Sequence, residues 1–361
     1  MHRFSYALVL VLAANVGCDK ISEVANSVKE EANKAVAEAT AEKPAADPNA
    51  TEVSPAATSG NETPAKPLLP NLPSLTPRDP LAALEKLLKP ANPELTDAVI
   101  EEAGEADETQ RRRVQSLELI SGKVTPNGMR GLQKFPELKS LAIVSGTVPP
   151  ELIAPIKELT ALESLAIPTS GATDAVVGAL AHEQLKSLDL TNGQVSNQGL
   201  AVVDRLPALT RLVLDFCPLD GATFAEHPRL LELEAFSAQS TSVLQNGLPT
   251  ILKMSKLQAL NLRNAKVNDS TFPGTKTIWP ALTTLHLSNN TDLSDRGTTF
   301  LKNHKQLEDV DLSISHIGNP TLGNLRFAKD LKRLRIKDTK ADDKGITALQ
   351  KIIKGLEVIT D

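Results

Sequence analysis

Only two cysteines, Cys18 and Cys217, occur in 361 residues, far apart and in unlike surroundings, so a disulfide framework is not expected. Aromatic residues make up 3% of the chain, with one tryptophan and a single tyrosine, Tyr6. Carbohydrate sites and tight protein interfaces lean on Trp and Tyr, so this poverty weighs against both. A basic excess is also lacking: the formal net charge is −5, which removes the bulk electrostatic drive toward nucleic acid. Catalytic signatures are missing as well. There is no phosphate-binding glycine loop, no Gly-x-Ser-x-Gly elbow and no Cys-x-x-Cys pair. His2, His182, His227, His286, His304 and His316 form no metal-binding or catalytic spacing with their neighbours, and His182-Glu-Gln-Leu-Lys186 lacks the second histidine of a zinc-protease helix. Neither a metal nor another cofactor is expected.

What is present falls into blocks. Met1-His-Arg is a short basic start, followed by the apolar run Phe4 to Ala14 and the closing Asn15-Val-Gly-Cys18. That run falls short of the roughly 20 residues a membrane-spanning helix needs, and it reads as a signal peptide over residues 1–17. A cysteine directly after the small residue Gly17 resembles the bacterial lipoprotein signal. The resemblance implies that Cys18 becomes the first residue of the mature chain, carries lipid, and anchors the protein to a membrane of the cell envelope. Residues 18–42 are rich in Ala, Glu and Lys, with Ile21, Val24 and Val28 at helical spacing, and predict a short amphipathic helix. Residues 43–78 shift to Pro, Ala, Thr, Ser and Asn, a composition expected to form an extended, mobile linker. In residues 79–113, Asp79-Pro80 opens a helix carrying Leu81, Leu84, Leu87 and Leu88, and a second helix is expected from Glu94 to about Ala103. Together they predict a helical cap.

Residues 114–361 are built on a phrase with a period of about 24 residues, plainest at Leu185-Lys-Ser-Leu188-Asp-Leu190. It begins at Val114, Leu138, Leu162, Leu185, Leu209, Leu230, Leu257, Leu282, Leu307, Leu331 and Leu356. A second signature follows each strand, as in Val195-Ser-Asn-Gln-Gly199-Leu200, Leu293-Ser-Asp-Arg-Gly297 and Ala341-Asp-Asp-Lys-Gly345. These residues resemble leucine-rich repeats of the ribonuclease-inhibitor and F-box type, and the related GALA repeats of some bacterial proteins. The resemblance implies an α/β solenoid with a curved parallel sheet on the concave face and helices or helical turns on the convex face. Ser, Asp and Asn would cap the convex helices, and Leu200, Leu301 and Leu349 would pack them on the sheet. Cys217 occupies a position where the family accepts cysteine, so it is expected to be a buried structural thiol.

Side chains alternate along a strand, so the residues between the leucines face the concave surface, where repeat proteins usually bind. The first rows are small or apolar: Ser116, Glu118 and Ile120, then Ser140, Ala142 and Val144, then Ser164, Ala166 and Pro168. Partner-binding candidates follow in the charged rows: Arg211, Asp215, Glu232, Glu234, Phe236, Arg263, His286, Asp309, Asp311, Arg333, Arg335 and Lys337. The stretch from Arg326 to Lys354 has ten basic and four acidic residues. The expected function is that of a monomeric, membrane-tethered, non-enzymatic module that binds or scaffolds another protein in the cell envelope through its concave face. One alternative is a structural lipoprotein that holds an anionic wall polymer through its basic end. Another is an enzyme with a cross-repeat site, where His286 lies one repeat from Asn261 and Asp311.

Overall fold

A computed structural model describes residues 79–361, except 90–91, 121, 145 and 273–277. The expected signal peptide, the lipid-bearing Cys18, the amphipathic segment and the linker lie outside the described residues. No helix among the described residues is long and apolar enough to cross a membrane.

Three helices lead into the repeats. In α1 (Pro80–Leu87), the Asp79 carboxylate accepts the Leu81 and Ala82 amides while Leu84 and Leu87 turn inward. The second helix, α2 (Asp97–Ala103), starts three residues later than its sequence predicts. A turn at Asn92 intervenes: its side chain accepts the Glu94 amide and its carbonyl the Leu95 amide. After α3 (Glu108–Arg111), the Arg112 guanidinium reaches Glu108 and Glu137, which ties this segment to the next repeat.

Eleven parallel strands then run in chain order: β1 (Ser116–Ile120), β2 (Ser140–Val144), β3 (Ser164–Ala166), β4 (Ser187–Asp189), β5 (Arg211–Val213), β6 (Ala235–Ser237), β7 (Ala259–Asn261), β8 (Thr284–His286), β9 (Asp309–Asp311), β10 (Arg333–Arg335) and β11 (Glu357–Ile359). This is the expected leucine-rich repeat solenoid. Leu141, Leu165, Leu188 and Leu212 stand on adjacent strands in one buried column, each too small a unit to close a core alone.

Two phrases sit in a different register from the one expected. The sixth begins at Leu233 rather than Leu230, because Pro228–Glu232 forms a 3₁₀ turn that absorbs Leu230 and Leu231. Leu230 takes the place that Leu206 and Met254 hold in the flanking repeats: Leu233 bonds back to it as Leu209 bonds to Leu206 and Leu257 to Met254. Phe236 therefore pairs with Leu212 and Leu260 in the core column. The last phrase begins one residue earlier, since Glu357 pairs with Arg333; Gly355, at φ +83°, makes the turn into it. With these shifts the first residues of successive strands lie 23 to 25 residues apart throughout.

Just past each of β4 to β10 one residue takes a left-handed conformation. Asn192, Phe216, Ser240, Asn264, Asn289, Ile314 and Asp338 have φ between +51° and +60° or just above, at +61° for Phe216. The amides of the first six each donate to a carbonyl of the following repeat at 2.7 to 3.0 Å, so the ladder continues beyond the sheet.

On the other side of the core, repeats are joined by side chains. Asp174 accepts both the amide and the hydroxyl of Ser196, at 2.8 and 2.6 Å. Asp269 does the same with Ser294 and adds the Gly297 amide, and Asp97 holds Thr125 in the same way. These ties explain the glycine of the second signature: a Cβ at Gly199 would collide with the Asp174 carboxylate, and one at Gly297 would stand 2.8 Å from Asp269 Oδ1. Leu200, Leu301 and Leu349 are buried as expected, although several of the returns are 3₁₀ rather than α-helical.

Candidate functional site

The concave face is a grid of three rows, set by strand register. Across β7 to β10 the first row reads Ala259, Thr284, Asp309, Arg333; the second, Asn261, His286, Asp311, Arg335. Two residues beyond lie Arg263, Ser288, Ser313 and Lys337. The floor is crowded: Asn261, His286, Ser288, Asp311 and Ser313 are all buried, although each belongs to the outward series.

Asp309 is the hub of the charged end. Its Oδ1 lies 2.8 Å from Arg335 Nη1 and 3.5 Å from His286 Nε2, and its Oδ2 is 3.5 Å from Arg333 Nη1. Burial alone raises this carboxyl's pKa, but the hydrogen bond and charge of His286, with Arg335 and Arg333 behind it, outweigh burial and hold it below the usual carboxylate value. The basic excess expected at this end is thus partly neutralised. Arg333 also approaches Glu357, and Lys332 pairs with Glu308 at 2.5 Å. Lys337 is exposed and makes no ion pair among the described residues.

At the middle of the face, Asp215 Oδ1 accepts the Ser237 hydroxyl at 2.5 Å and the Gln239 amide at 2.7 Å. Asn261 in turn donates to Ser237 at 2.9 Å, which makes a chain of hydrogen bonds across three repeats. Burial pushes the Asp215 carboxyl up to about 6; the Asp189 charge adds to this, while the two hydrogen bonds and Arg211 oppose it.

Of the sequence candidates, Arg211, Asp215, Arg263, His286, Asp309, Asp311, Arg333, Arg335 and Lys337 share the concave grid. Three do not. Phe236 is buried with its ring edge against Phe224, centroids 6.0 Å apart, because the corrected register makes it a core residue. Glu232 sits in the preceding turn and pairs with Lys256, and Glu234 lies at the strand entrance with its amide bound to the Thr210 carbonyl. Their places on the face belong to Ala235, Ser237 and Gln239. Sequence reading also missed Asp189, Ser288 and Ser313, which the same alternation would have found one step farther along their strands.

His182, His227 and His304 have structural partners. His182 Nε2 lies 3.0 Å from the Leu159 carbonyl, and His227 Nδ1 lies 2.7 Å from Asp204. His304 packs against Trp279 and Phe300, and burial lowers its pKa, partly offset by its bond to the Phe300 carbonyl. Cys217 is buried with its thiol toward the Leu190 carbonyl, and burial pushes it up to about 12, as a structural thiol requires. Among the described residues no group of three or more His, Cys, Asp or Glu could hold a metal ion.

No family model and no curated protein matches the chain. Among solved structures it is similar to an internalin from Listeria monocytogenes, with 13% identity, a TM-score of 0.46, and coverage of 70% of this chain and 88% of that one. It is also similar to TLR13 in a complex with ssRNA13, with 16% identity and a TM-score of 0.47, over 73% of this chain and 42% of that one. The leucine-rich repeat architecture itself is carried by the eleven parallel strands and the buried leucine column described above.

Proposed function

We propose that the chain is a non-enzymatic, monomeric protein-binding module, lipid-anchored at Cys18 in a membrane of the cell envelope, with the concave face as its partner surface. One observation carries the reading: the repeat keeps its inward positions aliphatic while its outward positions change from Ser and Ala to a hydrogen-bonded and ion-paired polar grid. A purely structural sheet has no need of that gradient. A photo-crosslinking amino acid placed at Gln239 on the concave face should trap a partner protein in intact cells, and one at the exposed Lys302 on the convex side should not. Equal yields from both positions would remove the concave face from the proposal. The anchor is tested separately: Cys18→Ala should move the protein from the membrane to the soluble fraction, and unchanged membrane recovery would refute lipidation.

A further inference from the structure

We propose that the convex-side turns leading into β9, β10 and β11 form a membrane-contact surface, in which six cations meet anionic lipid headgroups while Phe327 and Ile352 enter the interfacial layer. This goes beyond the partner-binding reading, since it uses the side of the solenoid away from the concave grid. Each of these turns is anchored by a buried residue three places before the next phrase. Ala328 accepts the Leu331 amide and Ile353 the Leu356 amide, and buried His304 stands three residues before Leu307. Two residues before the anchor and one after it, all three turns carry a cation: Lys302 and Lys305, Arg326 and Lys329, Lys351 and Lys354. All six are exposed, and none makes an ion pair among the described residues. Adjacent strands lie about 4.8 Å apart, so the pairing of β9 with β10 and β10 with β11 stacks the cations into two short rows.

The pattern is local and does not belong to the repeat as such. In the turn before β2, where Phe135 is the anchor, the two places hold Gln133 and Pro136; before β5, where Leu206 is the anchor, they hold Asp204 and Pro207. Over residues 302–305, 326–330 and 351–354, Asp330 is the only acid against six cations, in a chain whose formal net charge is −5.

A second observation is apolar. Phe327, 40% exposed, and Ile352, 46% exposed, stand at equivalent places immediately before their anchors, between the two rows of cations. The Arg326 guanidinium lies 4.6 Å from the centre of the Phe327 ring, so charge and ring are presented together. The boundary between headgroups and acyl chains suits this arrangement: apolar side chains leave water there while Lys and Arg tips stay at headgroup level. A nucleic acid or a wall polymer matches the cations but gives Ile352 no apolar phase to enter. A leaflet with anionic lipids supplies both. Contact through this side leaves the concave grid open to a partner.

The test uses the full chain carrying Cys18→Ala, so that no acyl chain contributes, in co-sedimentation with phosphatidylcholine vesicles with and without about one-third phosphatidylglycerol. Binding to the anionic vesicles should be about tenfold or more stronger than to the neutral ones. Lys329→Gln combined with Lys354→Gln should weaken it about tenfold or more. Phe327→Ser combined with Ile352→Ser, which leaves the charge unchanged, should also weaken it about tenfold. Lys123→Gln combined with Lys139→Gln, the same charge change at the other end of the solenoid, should leave it within about twofold. Circular dichroism of each variant checks that the fold is intact. Binding that ignores phosphatidylglycerol, or equal losses from the two lysine pairs, would overturn the surface. So would a loss from the Lys329 and Lys354 pair with none from the Phe327 and Ile352 pair, which would mark a polyanion site instead. At about 0.5 M salt a charge-held contact is released and an acyl chain is not, so membrane recovery at that salt reads the Cys18 anchor separately from this surface.

Discussion

Phe216 holds a left-handed backbone, φ +61°, with its ring 37% exposed at the rim of the face. Most others in that column are Asn, Ser or Asp, which take this conformation more readily than a residue branched toward bulk. Phe216→Asn should therefore stabilise the protein by about 1 kcal/mol in urea titration, and a loss of stability would show that the ring packs more than its exposure implies. Asp215 makes a second prediction at this scale. Its pKa is about 6 in the fold against 3.8 without it, so between those values the folded state binds more protons than the unfolded one. Stability from this group is complete below about 3.8 and is lost as pH rises through 6. His304 acts in the opposite sense. Its neutral form is favoured in the fold, so its contribution is lost as pH falls below 6.5. Comparing Asp215→Asn with the parent at each pH isolates the first effect: the variant should be more stable by about 1–2 kcal/mol at pH 7, with the gap closing toward pH 4. A pH-independent difference would contradict the argument.

The repeat is the natural element here, and its signature was legible because buried leucines recur with strand alternation. The expected concave placement of nine charged or polar residues followed from that alternation alone. Misreading arose where three leucines, Leu230, Leu231 and Leu233, satisfied the same phrase and only the 3₁₀ turn at Pro228 chose among them. The error moved Phe236 from core to surface. What the sequence did not disclose is any contact made between repeats, such as the Asp309 hub or the Asp215–Ser237–Asn261 chain, since these depend on register across strands about 24 to 25 residues apart. The glycine of the second signature was visible, but its cause was not. Asp174 fills the space a Cβ at Gly199 would need. Gly199→Ala should cost about 2 kcal/mol in the parent protein and no more than about 0.5 kcal/mol in an Asp174→Ala background, a coupling that a double-mutant cycle on chemical unfolding reads directly. Equal costs in both backgrounds would assign the glycine to the backbone instead.

Across residues 79–361 each repeat touches mainly its neighbours, so stability is a sum of repeat and interface terms rather than one indivisible quantity. Trp279, the only tryptophan, is buried beside Phe272 and His304 and reports on the repeats around β8. A cavity at the other end, Leu165→Ala in β3, should cost about 3 kcal/mol and shift the circular dichroism transition more than the Trp279 fluorescence transition. Identical shifts would show that the solenoid unfolds as one unit. The carboxylate ties bear on how such a chain can change length. Excising a unit at Ser196 or Ser294 would leave Asp174 or Asp269 without the hydroxyl and amide that satisfy it. Between Thr125 and Thr173 the tie takes another form, Gln133 donating to the Glu158 carboxylate of the next repeat, and Pro149-Pro150 stands at the place that Thr125 and Thr173 hold in the flanking repeats. Loss or duplication of a repeat there breaks one amide-to-carboxylate bond, whereas at Ser196 or Ser294 it strands a carboxylate that holds both an amide and a hydroxyl, so the N-terminal third is where the chain changes length at least cost.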